Sequence, residues 1–212
     1  PTARTAGSAF SVTVNGVDAN WNVVNSAGDT VNLSSSDVNA AMPANATLVA
    51  GTRTFSVTLK TAGTTTVTAS DVSDNAKSPN TSPAIQVNPG AVAKLQLLLP
   101  GETAAPGTAT GKIGSPGSQT AGTAMVNGIV VNAVGVNWNL VAGATPNVTI
   151  NSSDSNAAIA DDNGATAGNL TLVSGTRALS SFTFKSAGTR TITATDAAGT
   201  LTASSSASVT VN

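Results

Sequence analysis

Histidine, cysteine and tyrosine are absent from this sequence, and each absence removes a class of chemistry. Without histidine the commonest general base is missing. Without cysteine there are no disulfides and no thiolate metal sites, so the redox compartment cannot be read from thiols. Neither a Ser-His-Asp nor a Cys-His arrangement can be built, and no enzymatic activity is expected. Charge is also scarce, at 9% of residues against roughly 25% in ordinary globular domains. The formal net charge of −1 gives no grip on nucleic acid or on an anionic membrane surface. No apolar run reaches the roughly 18 residues that a spanning helix needs, so membrane insertion is not expected. The sequence opens on Pro1 without a methionine or a signal-like segment, which reads as a processed product or a fragment of something longer.

What remains is a chain of 212 residues, 40% apolar but only 3% aromatic, wetted by Thr, Ser and Asn. That composition suits a thin aliphatic core between two sheets about 10 Å apart. An internal repeat organises it. Thr47-Leu-Val-Ala-Gly-Thr-Arg53 returns as Thr171-Leu-Val-Ser-Gly-Thr-Arg177, and Lys60-Thr-Ala-Gly-Thr as Lys185-Ser-Ala-Gly-Thr. Asn20-Trp-Asn22 returns as Asn137-Trp-Asn139, and Ser35-Ser-Asp37 as Ser152-Ser-Asp154, always in the same order. The spacing between matches widens along the chain, so the second copy carries small insertions. One falls near Ser180-Ser181, where a β-bulge is expected.

Period-2 runs fill each copy. In the segment from Thr54 to Lys60, Phe55, Val57 and Leu59 alternate with polar residues, the pattern of a half-buried strand. A turn at Ala62-Gly63 suggests a hairpin to the next run. No 3.6-residue period is sustained anywhere, so the chain reads as all-β, a sandwich of short strands per copy. Pro89-Gly90 marks a linker, dividing domain 1 (residues 1–89) from domain 2 (residues 90–212). Ala93-Lys-Leu-Gln-Leu-Leu-Leu-Pro100 reads as an opening strand of domain 2, followed by a Gly, Pro and Thr-rich connection over residues 101–118. The first copy has no equivalent of that strand. Domain 1 should therefore carry an open edge beside an apolar groove, the kind of feature that invites a partner strand.

These repeated segments, with Asp18-Ala-Asn-Trp-Asn-Val-Val24 and the Gly-Thr-Arg-Thr-Phe-Ser-Val-Thr-Leu-Lys run, resemble the bacterial immunoglobulin-like repeats of invasin and intimin type found in large surface proteins and adhesins. The resemblance covers nearly the whole chain twice. It implies two tandem immunoglobulin-like β-sandwich domains, located outside the cell or on its surface. Domain 2 departs from the pattern where Gly135 stands in place of Asp18.

Function is expected to be non-catalytic: a spacer or building block of a surface protein, fibre or surface layer, with neighbouring repeats or identical subunits as partners. An alternative is an adhesin that binds a ligand or carbohydrate, with Trp21 and Trp138 as stacking platforms and Asn20, Asn22, Asn137 and Asn139 as polar neighbours; packing at the rim is the other use of such tryptophans. Asp71, Asp74, Asp161 and Asp162 are candidate calcium ligands, although Asx residues also occupy turns to bond their own backbone. No other cofactor is expected. Lys94, Leu95, Leu97 and Leu99 are candidates for strand exchange into the open edge of domain 1. A Lys94 to Asn212 isopeptide link is a further option if those residues lie on neighbouring strands. Asn32, Asn45, Asn80, Asn147 and Asn169 begin Asn-X-Ser/Thr sequences, so a glycan is a partner to consider.

Overall fold

The computed structural model describes residues 2–162 and 168–212. Every regular element in them is a strand. The chain divides into two compact units, Pro1–Asn88 and Pro89–Asn212.

Unit 1 contains β1 (Arg4–Thr5), β2 (Ala9–Asn15), β3 (Thr30–Ser35), β4 (Ala46–Thr47), β5 (Thr52–Thr58), β6 (Gly63–Thr65), β7 (Val67–Asp71), β8 (Asn80–Thr81) and β9 (Ile85–Asn88). One sheet runs β4-β3-β7-β8, a second is only β2-β5, and a third runs β1-β9-β6. Alternation makes each strand one-sided, so Val31, Leu33, Phe55, Val57, Val67 and Val87 meet in one core. β1 lies parallel to β9, pairing Arg4 with Val87.

Unit 2 contains β10 (Lys94–Leu98), β11 (Glu102–Ala104), β12 (Lys112–Gly114), β13 (Ala124–Val134), β14 (Asn147–Ser152), β15 (Ala158–Ile159), β16 (Asn169–Thr171), β17 (Thr176–Thr183), β18 (Gly188–Arg190), β19 (Ile192–Asp196), β20 (Ser204–Ser205) and β21 (Val209–Val211). Its sheets follow those of unit 1 with additions: β10-β13-β17-β15 stands where unit 1 has β2-β5, with β10 covering the outer edge of β13, and β11-β12 forms a further two-stranded sheet. The core is larger and includes Phe182 and Phe184, whose rings meet edge to face at 4.8 Å.

Two expectations change. The turn at Ala62-Gly63 makes no hairpin: β5 pairs with β2, whereas β6 pairs with β9. The reason is Asp37, whose Oδ2 accepts the N–H groups of Lys60 and Thr61 and so ends β5 before it can fold back on itself. The bulge stands opposite Ser180, but the surplus residue is on β13, between Val126 and Ile129. There Asn127 takes φ 51°, and Asp162 receives the Ser180 N–H. Within the connection over residues 101–118, β11 and β12 pair antiparallel. Glu102 pins that small hairpin, accepting from the Leu99 N–H and forming an ion pair with Lys112 at 2.7 Å.

Candidate functional site

A groove of about 870 Å³ lies on unit 1. One wall is β2, which pairs with β5 alone. The other wall is the approach to β8 (Ser78, Pro79, Asn80), and the floor is apolar, with Val31, Leu33, Leu48 and Ile85. The matching place in unit 2 is filled by β10. Val14 faces Arg53 as Val131 faces Arg177, and Asn15 faces Thr52 as Asn132 faces Thr176, so β2 is the counterpart of β13. Asn80 faces Ala69 as Ser204 faces Ala194, so β8 is the counterpart of β20. β10 bonds to both flanks: Lys94 to Leu98 pair with Val134 to Val130, the Leu95 N–H donates to the Thr202 carbonyl, and the Leu97 N–H donates to the Ser204 Oγ.

Polar chemistry in that seam is specific. The Gln96 side chain, buried, accepts from the Asn132 Nδ2 at 2.9 Å and donates to the Gly111 carbonyl at 2.6 Å. The Thr176 hydroxyl donates to the same Asn132. In unit 1 the Thr52 hydroxyl donates to Asn15 at 2.7 Å, reproducing half of that network with nothing in the place of Gln96.

The two tryptophans share a backbone state and differ in surroundings. Both have φ 64°, an uncommon left-handed conformation for so bulky a residue. Trp138 is covered: the Lys94 Nζ sits 3.4 Å above its ring, its Nε1 donates to the Ala109 carbonyl, and Gly111 lies against its face. Trp21 is 72% exposed. Of the polar neighbours, Asn139 is buried, the Asn137 carbonyl accepts from Gly107, and Asn20 and Asn22 donate to Asp18 within a turn. Unit 2 therefore presents no open platform at Trp138, Asn137 and Asn139. The Asp18 carboxyl is held below its usual range by the Asn22 amide and the Asn22 and Asn20 N–H groups, against a small effect of burial.

The candidate calcium ligands separate into two cases. Asp71 and Asp74 do converge, together with Asp29, but the cation among them is Lys77: its Nζ lies 2.7 Å from Asp29 and 3.7 Å from each of Asp71 and Asp74. The Ser73 N–H holds Asp71 below its usual range against burial, with Asp74 and Lys77 adding to the effect. Asp29 in turn raises Lys77. In unit 2 the counterpart Asp196 has no lysine and accepts from Thr200 and Leu201 instead. Asp162 accepts from Ser180, and Asp161 does not join a cluster of acids among the described residues; their neighbour Asn163 lies outside those residues.

Lys94, Leu95, Leu97 and Leu99 are engaged inside unit 2, with the three leucines buried. Burial alone pushes the Lys94 ammonium down. The isopeptide arrangement is not present: β10 lies against β13, while the Asn212 N–H donates to the Gln119 carbonyl beside β21. The sequon residues serve ladders, as where Asn32 donates to Asn45 and Asn147 accepts from Thr171.

Sequence reading missed the role of the repeated Ser-Ser-Asp. Asp154 repeats what Asp37 does, its Oδ2 accepting the N–H groups of Lys185 and Ser186. Burial pushes Asp154 up, but the N–H groups of Ser186, Lys185 and Asn156 outweigh it and bring the carboxyl to about 2. The recurrence itself was the available signal.

No protein-family model and no curated protein matches the sequence. Similar solved structures include the D0-D1 domains of intimin, at 14% identity and a TM-score of 0.34, covering 98% of this chain and 92% of that one. Domains 5-6 of the S-layer protein SbsC match at 19% identity and a TM-score of 0.33, covering 99% and 92%. A β-glucuronidase of Bacteroides uniformis matches at 13% identity and a TM-score of 0.40; this chain spans 21% of its length.

Proposed function

We propose that this chain is a non-catalytic structural module of an extracellular or cell-surface protein, a spacer that carries tension. The observation that supports this most directly is how unit 1 is closed. In unit 1 the first strand, β1, lies parallel to the last, β9, and the Ala6 N–H donates to the Asn88 carbonyl. In unit 2 Gln119 lies parallel to Val211 in the same way, donating to the Thr210 carbonyl while the Asn212 N–H donates back, but β10 precedes it in the chain and takes the load first. Pulling a parallel terminal pair from opposite ends loads its hydrogen bonds in shear, so several must fail together, whereas a hairpin would unzip one bond at a time. The composition fits the same role, since a hydroxyl-rich surface with few charges stays hydrated without attracting nucleic acid or anionic membranes.

Single-molecule stretching of the chain, tethered at both ends, tests the reading. Sawtooth unfolding at forces well above those of an unzipping hairpin is the expected result, and it should weaken when Ala6→Pro removes the donor to Asn88. Smooth extension without force peaks would overturn it.

A further inference from the structure

We infer that unit 1 carries a site for a hard divalent cation of calcium's kind, built from Asp29, Asp71 and Asp74, in which the Lys77 ammonium holds the ion's place until the ion displaces it. This goes beyond the spacer reading and does not depend on it.

Three segments meet there. Asp29 stands just before β3, Asp71 ends β7, and Asp74 and Lys77 belong to the connection from β7 to β8. Asp71 and Asp74 each use Oδ1 in their own turn, accepting from the Ser73 and Ala76 N–H groups, and each turns Oδ2 toward the lysine. One carboxylate oxygen from each of the three acids lies within 4.8 Å of those of the other two. Calcium holds its oxygens at about 2.3–2.6 Å, so a single ion touches oxygens up to roughly 5 Å apart and fits this cradle.

The observation that points to an ion is the state of Asp71. Its side chain is 4% exposed, yet no hydrogen-bond donor among the described residues reaches its Oδ2. Buried carboxylate oxygens are ordinarily paired or bound to a metal. Lys77 does not meet that need: its Nζ is 2.7 Å from Asp29 but 3.7 Å from Asp71 and from Asp74, beyond hydrogen-bond reach. One ammonium also leaves two of the three negative charges unbalanced. The Lys77 side chain is 52% exposed, so its flexible stem can carry the charge into water when an ion arrives.

The arrangement belongs to unit 1 and owes nothing to β10. Val31 faces Asp71 as Val148 faces Asp196, and the Asp29 carbonyl accepts from Leu48 as the Pro146 carbonyl accepts from Leu172. Proline therefore stands in unit 2 where Asp29 stands in unit 1. Asp196 accepts from Ala198, Thr200 and Leu201, all in its own turn, and its Oδ2 takes both Thr200 bonds and the Leu201 bond. The contrast is set by the two turns themselves, and unit 2 serves as an internal control.

The test titrates calcium chloride, at constant ionic strength, into the full chain freed of metal by a chelator. Calorimetry is expected to show one ion per chain with a Kd of about 0.1–1 mM, the range of extracellular calcium modules. In a Trp138→Phe chain, about 10 mM calcium should raise the melting midpoint read from Trp21 by about 5 °C or more; in a Trp21→Phe chain, the midpoint read from Trp138 should stay in place. Lys77→Gln removes the competing ammonium and is expected to bind about tenfold more tightly. Asp71→Asn, which keeps an acceptor for the Ser73 N–H, should weaken binding at least tenfold. Asp74→Asn, at an exposed side chain where folding is not at stake, should weaken it as well. Neither heat nor a midpoint shift up to about 10 mM calcium would overturn the proposal. So would equal shifts for the two reporters, or an affinity unchanged in both Asp71→Asn and Asp74→Asn, and an affinity unchanged in Lys77→Gln would overturn the lysine's part in it.

Discussion

At the scale of single residues, the acids matter most as brackets. Asp37 and Asp154 each end a strand by capturing two successive N–H groups, and each is itself fixed by the serine two places earlier, whose hydroxyl accepts the Asp N–H. Asp37→Ala would strand the Lys60 and Thr61 donors, and hydrogen bonds to a charged group contribute about 1.5–3 kcal/mol each, so unit 1 is expected to lose on the order of 3 kcal/mol in denaturant titration. Asp154 gives a pH prediction. Its folded value of about 2 lies below the ordinary 3.8, so the stability it contributes is present above pH 4 and is lost as pH falls toward 2. Asp154→Asn should flatten the acid limb of unit 2's stability profile over that window, with little change in the profile's shape above pH 5. An unchanged acid limb would show that other carboxylates carry it. The recurrence of Ser-Ser-Asp was visible in the sequence. Its task was not, because the N–H groups it captures lie more than twenty residues away and are chosen by the crossover of the chain.

At the scale of elements, the informative contrast is between β10 with its arm and the place in unit 1 that has neither. Alternation in residues 54–60 marked β5 and its buried face, because period and burial are the same information in a one-sided sheet. The Gly and Pro-rich stretch after β10 gave no such signal, since β11 and β12 are held by their own ladder, an ion pair, polar bonds to β10 and a tryptophan contact and not by an apolar stripe. The arm's dependence on that contact is testable. Gly111 has φ +76° and no room for a Cβ, so Gly111→Val should lift the arm off Trp138. In a chain carrying Trp21→Phe, the Trp138 emission should then move to the red, and proteolysis within residues 101–118 should accelerate. A variant with wild-type emission would mean that the arm tolerates the side chain by shifting as a body.

At the scale of the whole chain, the same sandwich twice does not imply the same stability twice. Unit 2 buries Leu95, Leu97 and Leu99 through β10, and full burial of a leucine contributes about 1.5–3 kcal/mol before the cost of ordering the strand. In unit 1 the inward residues of β2, Val12 and Val14, are only half-buried, and Phe10 beside them is covered by the Arg4 guanidinium at 4.6 Å. Unit 1 therefore has the smaller core and the wetter edge, and equilibrium unfolding should proceed in two steps. Two single-tryptophan chains assign the steps: Trp138→Phe reports unit 1 through Trp21, and Trp21→Phe reports unit 2 through Trp138. The Trp21 transition should come first on heating, by about ten degrees or more, since in a domain of this size 1 kcal/mol shifts the midpoint by about 4–8 °C. Coincident transitions for the two reporters would mean that the units unfold as one cooperative body, and the open edge would then carry no separate stability of its own.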